Sequence, residues 1–286
     1  MPLVGTGELV TAARAAGRGV AAFNVVTLEH AEAIAAGAET AGASAILQIS
    51  ENAVRFHGGR LAPVAAAAAA VARASDAPLA LHLDHVESFE LLRQAPAAGF
   101  GSVMFDASKL PYARNVEATA RAVRFGHGHG MWVEAELGRV GGKPGDPDRT
   151  ALDAHAPGAR TDPAEAAEYT AATGVDALAV AVGSSHAMTE RTAVLDHDLI
   201  GELRRTVPVP LVLHGSSGVP DEELRRAVAA GMTKINVGTA LNASFTGAVR
   251  AFLERDAAVV DPRKYLRPAR EAMAETVAAF LKTVSS

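Results

Sequence analysis

Residues 79–85 read LALHLDH, an apolar run that ends in an aspartate and a histidine. Four further apolar runs end in a comparable polar residue: 102–106 (SVMFD), 131–136 (MWVEAE), 177–186 (ALAVAVGSSH) and 210–214 (PLVLH). The last residues of the five runs are His85, Asp106, Glu136, His186 and His214. Imidazole and carboxylate groups are common ligands of divalent metals. If the runs are parallel strands of one barrel, these side chains converge on one rim.

The chain alternates short β-rich runs with alanine-rich helical segments from one end to the other, which is the pattern of βα units. The eight predicted strands lie at 19–24, 44–50, 78–84, 102–106, 131–136, 176–183, 209–214 and 233–237. Their near-continuous apolar character is typical of strands buried on both faces. We therefore predict an α/β fold, a (β/α)8 TIM barrel that forms one domain over residues 1–286. Segments 242–255 and 261–283 are predicted to be extra C-terminal helices.

One helix start is well specified. Asp162 is expected to be the N-cap, Pro163 the first helical residue and Gly174 the terminator. The segment before it, residues 138–160, is rich in glycine, proline and charge and reads as a long loop on the ligand side. In a barrel enzyme such a loop is a candidate lid or carrier of catalytic groups.

The composition describes a globular protein, with 49% hydrophobic and 21% charged residues. A formal net charge of −5 without a block of like charges gives no electrostatic footprint for nucleic acid or an anionic membrane. Because there is no cysteine, any metal must be held by imidazole and carboxylate. No signal peptide or membrane-length apolar run is visible, so we expect a cytoplasmic protein.

The rim residues suggest a metal centre. His85, His186 and His214 could form a three-nitrogen site with an open position, as in catalytic zinc sites. Asp106 and Glu136 could hold a second metal or orient the imidazoles from behind. Asp84 would lie close to the metal and could exchange a proton with a substrate oxygen, although an aspartate here could equally be a helix cap or a salt-bridge partner.

Two small-residue loops suggest phosphate binding. Residues 214–218 (HGSSG) follow the seventh predicted strand, and residues 236–239 (NVGT) follow the eighth. Loops at these two places form the usual phosphate site of such barrels, through backbone N–H groups and a helix N-terminus. Either loop alone is equally well explained as a turn. Both together favour a phosphorylated substrate.

Eight motifs in order resemble one known family. They are AFNV (22–25), LHLDH (81–85), SVMFDAS (102–108), VEAELG (133–138), ALAVAVGSSH (177–186), PLVLHGSSG (210–218), KINVGT (234–239) and DPRKYL (261–266). Together they resemble the class II, metal-dependent ketose-bisphosphate aldolases from about residue 3 to residue 280. The resemblance is closest to the tagatose-bisphosphate and fructose-bisphosphate branch, with the tagatose-type enzymes nearest.

The resemblance implies a catalytic Zn²⁺ on the three histidines and a second divalent metal on Asp106 and Glu136 together with His85. It also leaves room for a monovalent cation. Asp84 would be the acid and base on the hydroxyl of the aldehyde half. Dihydroxyacetone phosphate, the triose half, would be held by Asn24, Ser50, Ala187, Gly215, Ser216, Ser217, Asn236, Val237, Gly238 and Thr239.

The resemblance further implies that Arg263 reaches the far phosphate from a neighbouring subunit, so that a homodimer or homotetramer is expected. No lysine Schiff base is required, which leaves Lys234 as a structural or phosphate-proximal residue. The expected reaction is reversible retro-aldol cleavage of a ketose 1,6-bisphosphate to dihydroxyacetone phosphate and an aldose phosphate.

Three positions depart from the family pattern. The family commonly has a glutamate shortly after the Gly-Gly of the fifth strand's loop, as the base for the carbon-bound proton, whereas residues 141–146 read GGKPGD. Asp146 is our substitute for that base, and Asp148 is the second choice. Ala187 stands where a glycine is often found, and Gly238 replaces the aspartate of the fructose-bisphosphate branch.

Two other kinds of function remain open from the sequence. The chain could be a non-catalytic barrel subunit that binds sugar phosphate, an interpretation motivated by the missing loop glutamate. It could also act on a related phosphorylated keto sugar or keto acid, or epimerise a sugar through the same ene-diolate. Zinc-dependent aldol cleavage is the leading hypothesis, because a binding protein has no need of a metal site and Asp84 together.

Overall fold

Eight parallel strands pair in chain order and close into a barrel through contact between the first and the last. The computed structural model describes residues 3–138 and 159–285. The strands are β1 (Val20–Asn24), β2 (Ala45–Ser50), β3 (Leu79–Val86), β4 (Ser102–Phe105), β5 (Trp132–Leu137), β6 (Ala177–Val180), β7 (Leu211–Leu213) and β8 (Met232–Val237). All eight predicted strands and the TIM-barrel architecture are confirmed.

Helices surround the barrel. They are α1 (Thr6–Ala15), α2 (Leu28–Ala41), α3 (Glu51–Phe56), α4 (Leu61–Ala74), α5 (Phe89–Gln94), α6 (Tyr112–Gly128), α7 (Pro163–Thr173), α8 (His197–Thr206), α9 (Asp221–Ala230), α10 (Thr239–Arg255) and α11 (Pro262–Ser285). The two predicted C-terminal helices are present as α10 and α11. Helix α11 packs against α2, α9, α10 and β1, so it completes the outer layer of the barrel.

The strands alternate between an apolar outer face and a partly polar inner face. On β3, Leu79, Leu81 and Leu83 belong to the large core that the helices cover. The residues between them face the barrel interior, where His82 and Asp84 are buried. The expectation of strands that are buried on both faces is therefore confirmed for β3, and its inner face carries buried polar groups, which are tolerated where they pair with one another.

Helix α1 closes the N-terminal end of the barrel. The backbone N–H of Val4 donates to the carbonyl of Leu79 at 3.0 Å, which fixes the segment leading into the helix. Val10 of α1 is fully buried in a small apolar cluster with Val20, Ala22, Ile46 and Ala80. These strand residues come from β1, β2 and β3, so the cluster forms the floor beneath the polar interior.

Helix α7 begins and ends as the sequence predicts. The Asp162 side chain accepts a hydrogen bond from the backbone N–H of Glu165 at 2.9 Å, and Pro163 is the first helical residue. Gly174 takes a left-handed conformation with φ 71° and ends the helix. Within the described residues, no helix is both long and apolar enough to cross a membrane.

Candidate active site

A cavity of about 360 Å³ opens at the C-terminal rim of the barrel. Its walls come from the ends of strands and the segments that follow them, which is where barrel enzymes carry their sites. The predicted site residues that line it are Asn24, Ser50, Asp84, His85, Asp106, His186, Ala187, Gly215, Ser217, Asn236, Gly238 and Thr239. The structure therefore brings most of the predicted constellation into one space.

Three histidines and one glutamate form a compact cluster at the wall of this cavity, which His85 and His186 line. The ring centroids of His85, His186 and His214 are 4.8–5.6 Å apart. One ligand atom from each histidine and from Glu136 lies within 4.8 Å of the others. The predicted convergence of strand ends is confirmed for these four residues.

The two rim carboxylates take different positions. Glu136 Oε2 lies 2.9 Å from His214 Nδ1, inside the cluster. Asp106 Oδ2 instead lies 3.0 Å from His85 Nδ1, which leaves Nε2 of the same ring for the cluster. Asp106 thus has the geometry of an orienting partner, one of the two roles that the sequence left open. The second metal position stays a prediction.

The donor set fits a divalent metal ion. Tetrahedral zinc holds nitrogen ligands at about 2.0–2.1 Å, which puts neighbouring ligand atoms roughly 3.4 Å apart. The four ligand atoms here are within 4.8 Å of one another, so small side-chain rotations would bring them onto one ion. Three imidazole nitrogens and one carboxylate oxygen, without any thiolate, suit zinc and other first-row divalent metals.

A buried ion pair between Glu134 and Lys234 contacts His214 on the nitrogen that faces away from Glu136. Glu134 Oε1 lies 3.0 Å from His214 Nε2, and Glu134 Oε2 lies 2.8 Å from the ammonium of Lys234. Burial disfavours a charged carboxylate, yet Lys234 keeps the pKa of Glu134 well below its usual range. Burial would also lower the pKa of His214, but its hydrogen bonds to Glu134 and Glu136 raise that pKa to about 9. The His214 side chain is therefore held by carboxylates on both ring nitrogens.

Asp84 is almost completely buried at the edge of the cavity, with 1% of its surface exposed. Its Oδ2 lies 3.9 Å from His85 Nε2 and its Oδ1 lies 4.0 Å from His82 Nε2. Burial, together with the nearby Lys234 ammonium, lowers the pKa of His82 to about 3, so this imidazole is neutral. Asp84 thus combines access to the cavity with a position next to a cluster residue, as proton exchange with a bound oxygen requires.

Glycine-containing turns form the side of the cavity where the sequence predicts phosphate binding. Gly215 has φ 70°, and a Cβ there would lie 2.5 Å from the Ser185 carbonyl oxygen, so only glycine fits. The Ser217 hydroxyl accepts a hydrogen bond from the backbone N–H of Ala240 at 3.0 Å and joins the two predicted loops. Because α10 begins at Thr239, a helix N-terminus faces the same space, which favours an anion.

Some predicted residues lie elsewhere. The hydroxyl of Ser216 donates to the Leu213 carbonyl at 3.1 Å, and Val237 is fully buried in the core, so neither side chain lines the cavity. Arg263 is on the surface, where it pairs with Asp261 at 2.8 Å. Asp146 and Asp148 lie outside the described residues. Contact of Arg263 with a neighbouring subunit stays a prediction.

Three residues of the site were not predicted in these roles. Glu134 holds His214, and Lys234 pairs with Glu134. Gln48 donates to the side-chain oxygen of Asn24 at 2.5 Å and so orients that predicted substrate-binding residue. The available signal was period-two spacing, because Glu134 precedes Glu136 by two residues and so faces the same side of its strand.

Comparison with known proteins agrees with this geometry. Residues 4–286 match the family model described as fructose-bisphosphate aldolase class-II. The chain belongs to this family. A relative from Bacillus subtilis named as a probable fructose-bisphosphate aldolase is 40% identical over 287 residues, covering 100% of this chain and 99% of that protein. A fructose-bisphosphate aldolase from Staphylococcus epidermidis is 40% identical and covers 97% of this chain and 95% of its own length.

Two solved structures show the same fold in related proteins. The YdjI aldolase from Escherichia coli K12 superposes with a TM-score of 0.84 at 29% identity, covering 99% of this chain and 97% of that one. A putative fructose-1,6-bisphosphate aldolase from Coccidioides immitis gives a TM-score of 0.84 at 27% identity, covering 98% and 95%. This class II aldolase is thus an enzyme of a metal-dependent family whose substrates are phosphorylated sugars, which decides against the non-catalytic sugar-phosphate-binding subunit.

Proposed function

We propose that the enzyme uses zinc to cleave a ketose 1,6-bisphosphate reversibly to dihydroxyacetone phosphate and an aldose phosphate. The observation that carries this proposal is the three-histidine cluster, two members of which line the same cavity as Asp84 and the two glycine turns. A metal site alone would suit many hydrolases. An anion site next to the metal, with a buried carboxylate in the same cavity, suits a reaction on a phosphorylated keto sugar.

Each part of the cavity has a defined task in this reaction. The backbone N–H groups at Gly215, Ser217 and the start of α10 would bind the phosphate of the triose half. Asp84 would take the proton from the hydroxyl whose carbon becomes the aldehyde, and return it in the reverse direction. A bound divalent cation supplies Lewis acidity, which offsets negative charge on the triose oxygen. Asp146 is our proposed base for the carbon-bound proton, on sequence grounds.

Fructose 1,6-bisphosphate is the better supported of the two candidate substrates, because the two curated relatives at 40% identity are named for it. Gly238 argues for tagatose 1,6-bisphosphate, since the fructose branch is expected to have aspartate there. A Cβ at Gly238 would lie 2.8 Å from the Asn24 side-chain nitrogen, so an aspartate would require Asn24 to move. Parallel kcat/KM values for the two sugars decide between them.

The test is a coupled assay for triose-phosphate release, with the wild type, a metal-stripped sample, His186→Ala and Asp84→Asn. Metal removal and His186→Ala are expected to abolish turnover, because an open zinc site cannot spare one of three histidines. Asp84→Asn should lower kcat by ~100-fold with zinc still bound. Glu117→Gln, an exposed change on α6, is the matched control and should leave turnover unchanged. Full activity in stripped protein would refute zinc dependence.

We further propose a homo-oligomer in which Arg263 acts in the site of a neighbouring subunit. The side chain of Arg263 is 87% exposed, and nearby Val260 is a large apolar residue with 93% exposure. Both lie at or just before the start of α11, so an interface there would bury Val260.

Subunit mixing tests this arrangement. The Arg263→Ala and Asp84→Asn variants should each be inactive on a bisphosphate. A hybrid dimer contains one site with an intact Asp84 and an Arg263 from its partner, so an equal mixture should recover about a quarter of wild-type activity. A monomeric mass by light scattering, or no recovery on mixing, would contradict it.

A further inference from the structure

Lys234 is a fully buried lysine that the mechanism above does not use. It lies on β8, inside the barrel, opposite Val20 of β1 and Val212 of β7. Its ammonium contacts two groups that face different parts of the site. One is Glu134 Oε2 at 2.8 Å, and the other is the side-chain oxygen of Asn236, also at 2.8 Å.

The contact with Asn236 fixes which end of its amide faces the substrate. An ammonium group can only donate hydrogen bonds, so it must take the amide oxygen. The amide Nδ2 is then turned away from Lys234, and it has no hydrogen-bond partner among the described residues. Since Asn236 lines the cavity, it presents a donor rather than an acceptor to whatever binds there.

The contact with Glu134 fixes which nitrogen of His214 carries the proton. A carboxylate paired with Lys234 is ionised and can only accept. His214 Nε2, which lies 3.0 Å from Glu134 Oε1, must therefore donate its hydrogen. The lone pair of a neutral His214 is then on Nδ1, the nitrogen beside Glu136 in the histidine cluster.

We propose that Lys234 is a positioning residue whose ammonium sets the hydrogen-bonding polarity of both halves of the site. Through Glu134 it makes Nδ1 of His214 the metal-binding nitrogen, and through Asn236 it makes the substrate-facing atom a donor. The second half rests on the proposed function, because a donor suits the oxygen of a triose phosphate as that oxygen gains negative charge.

The metal half is tested by Glu134→Gln with and without Lys234→Met. In the single variant the ammonium takes the new amide oxygen, so the amide N–H faces His214 Nε2 and forces its proton onto Nδ1. Zn²⁺ affinity, measured by chelator competition, should fall at least ~10-fold. In the double variant the amide is free to turn its oxygen to His214, so affinity should return to within about threefold of wild type.

If Lys234 had only a structural role, the addition of Lys234→Met to Glu134→Gln would not restore Zn²⁺ affinity. His197→Gln, which disturbs another part-buried pair with Glu223 at 3.0 Å, is the control and should bind Zn²⁺ as the wild type does. Equal Zn²⁺ affinity of the single and double variants would overturn the metal half.

Nitrogen-15 NMR of the zinc-loaded wild type keeps the metal half testable if the single variant does not fold. It should show His214 protonated on Nε2. A proton on Nδ1 would overturn the metal half.

The substrate half is tested on the zinc-loaded double variant. Its Asn236 amide is no longer oriented, so affinity for a hydroxamate analogue of the triose-phosphate ene-diolate should fall ~10-fold, comparable to Asn236→Ala. Wild-type affinity in the double variant would overturn this half. Failure of the wild type to bind the hydroxamate or to cleave a ketose bisphosphate would instead refute the proposed function, while the Zn²⁺ results would stand.

Discussion

Two non-glycine residues of the site have left-handed backbone conformations, His85 with φ 47° and Ala187 with φ 59°. This conformation costs a residue with a Cβ roughly 1–2 kcal/mol. At His85 the imidazole is needed for the cluster, so the strain accompanies a chemical requirement. Ala187 contributes only a methyl group to the lining of the cavity.

Replacement of Ala187 by glycine should therefore stabilise the protein. The free energy gained by relief of backbone strain exceeds the entropic cost of glycine. The free energy of unfolding should therefore rise by about 0.5–1 kcal/mol. Urea denaturation measures the change. Thr189→Gly, on the same segment but without a positive φ, is the control and should lower the same quantity. A loss of stability in Ala187→Gly would contradict the role assigned to strain.

At this scale the sequence predicts ligands better than their partners. His85, His186 and His214 were visible because each ends an apolar run. Glu134 and Lys234 lie within strands 100 residues apart, and only the closure of the barrel brings them to 2.8 Å. The sequence around a charged residue inside a strand does not indicate which residue it pairs with. The sequence therefore shows Lys234 but does not predict its pairing with Glu134.

Among the helices, α7 has an N-cap that the sequence predicts and the structure contains, Asp162. Asp162→Ala removes the side-chain acceptor for the Glu165 N–H, and the free energy of unfolding should fall by about 1 kcal/mol. Glu168→Ala, an exposed change later in the same helix, should alter it by less than about 0.5 kcal/mol. Comparable losses in the two variants would show that the cap contributes nothing specific.

Element ends were less predictable where tertiary contacts decide them. Strand β6 stops at Val180, although the apolar run was expected to be strand to residue 183. After Val180, Ala181 exchanges hydrogen bonds with Thr161 instead of a neighbouring strand. Helix α10 starts at Thr239, three residues earlier than expected, after a Gly238 that offers no side-chain cap. Neither boundary has a signal within its own segment.

For the whole molecule, the buried neutral His82 predicts acid sensitivity. Its pKa is lowered from 6.5 to about 3, so in acid the unfolded chain takes up this proton before the folded protein does. The contribution of neutral His82 to the free energy of unfolding is therefore complete above pH 6.5. It is lost as the pH falls toward 3, by up to ~1.4 kcal/mol per pH unit.

Urea unfolding of metal-free protein between pH 6 and pH 4 measures this effect. The His82→Gln variant should show a pH slope smaller by about one proton than the wild type. Equal slopes in the two proteins would mean that His82 is not neutral in the folded state.

In the part of the chain that the structure describes, helix α1 covers the N-terminal end of the barrel, which leaves the cavity at the C-terminal rim as the entrance to the polar interior. A sugar phosphate and a metal ion that bind in this cavity would both pass through the rim, because the apolar cluster around Val10 fills the opposite end of the barrel. Release would then be sequential. An organic ligand bound in the cavity would hold the metal ion in place until that ligand has dissociated. Extraction of the metal by a chelator should accordingly slow in proportion to the fraction of enzyme that carries a triose phosphate.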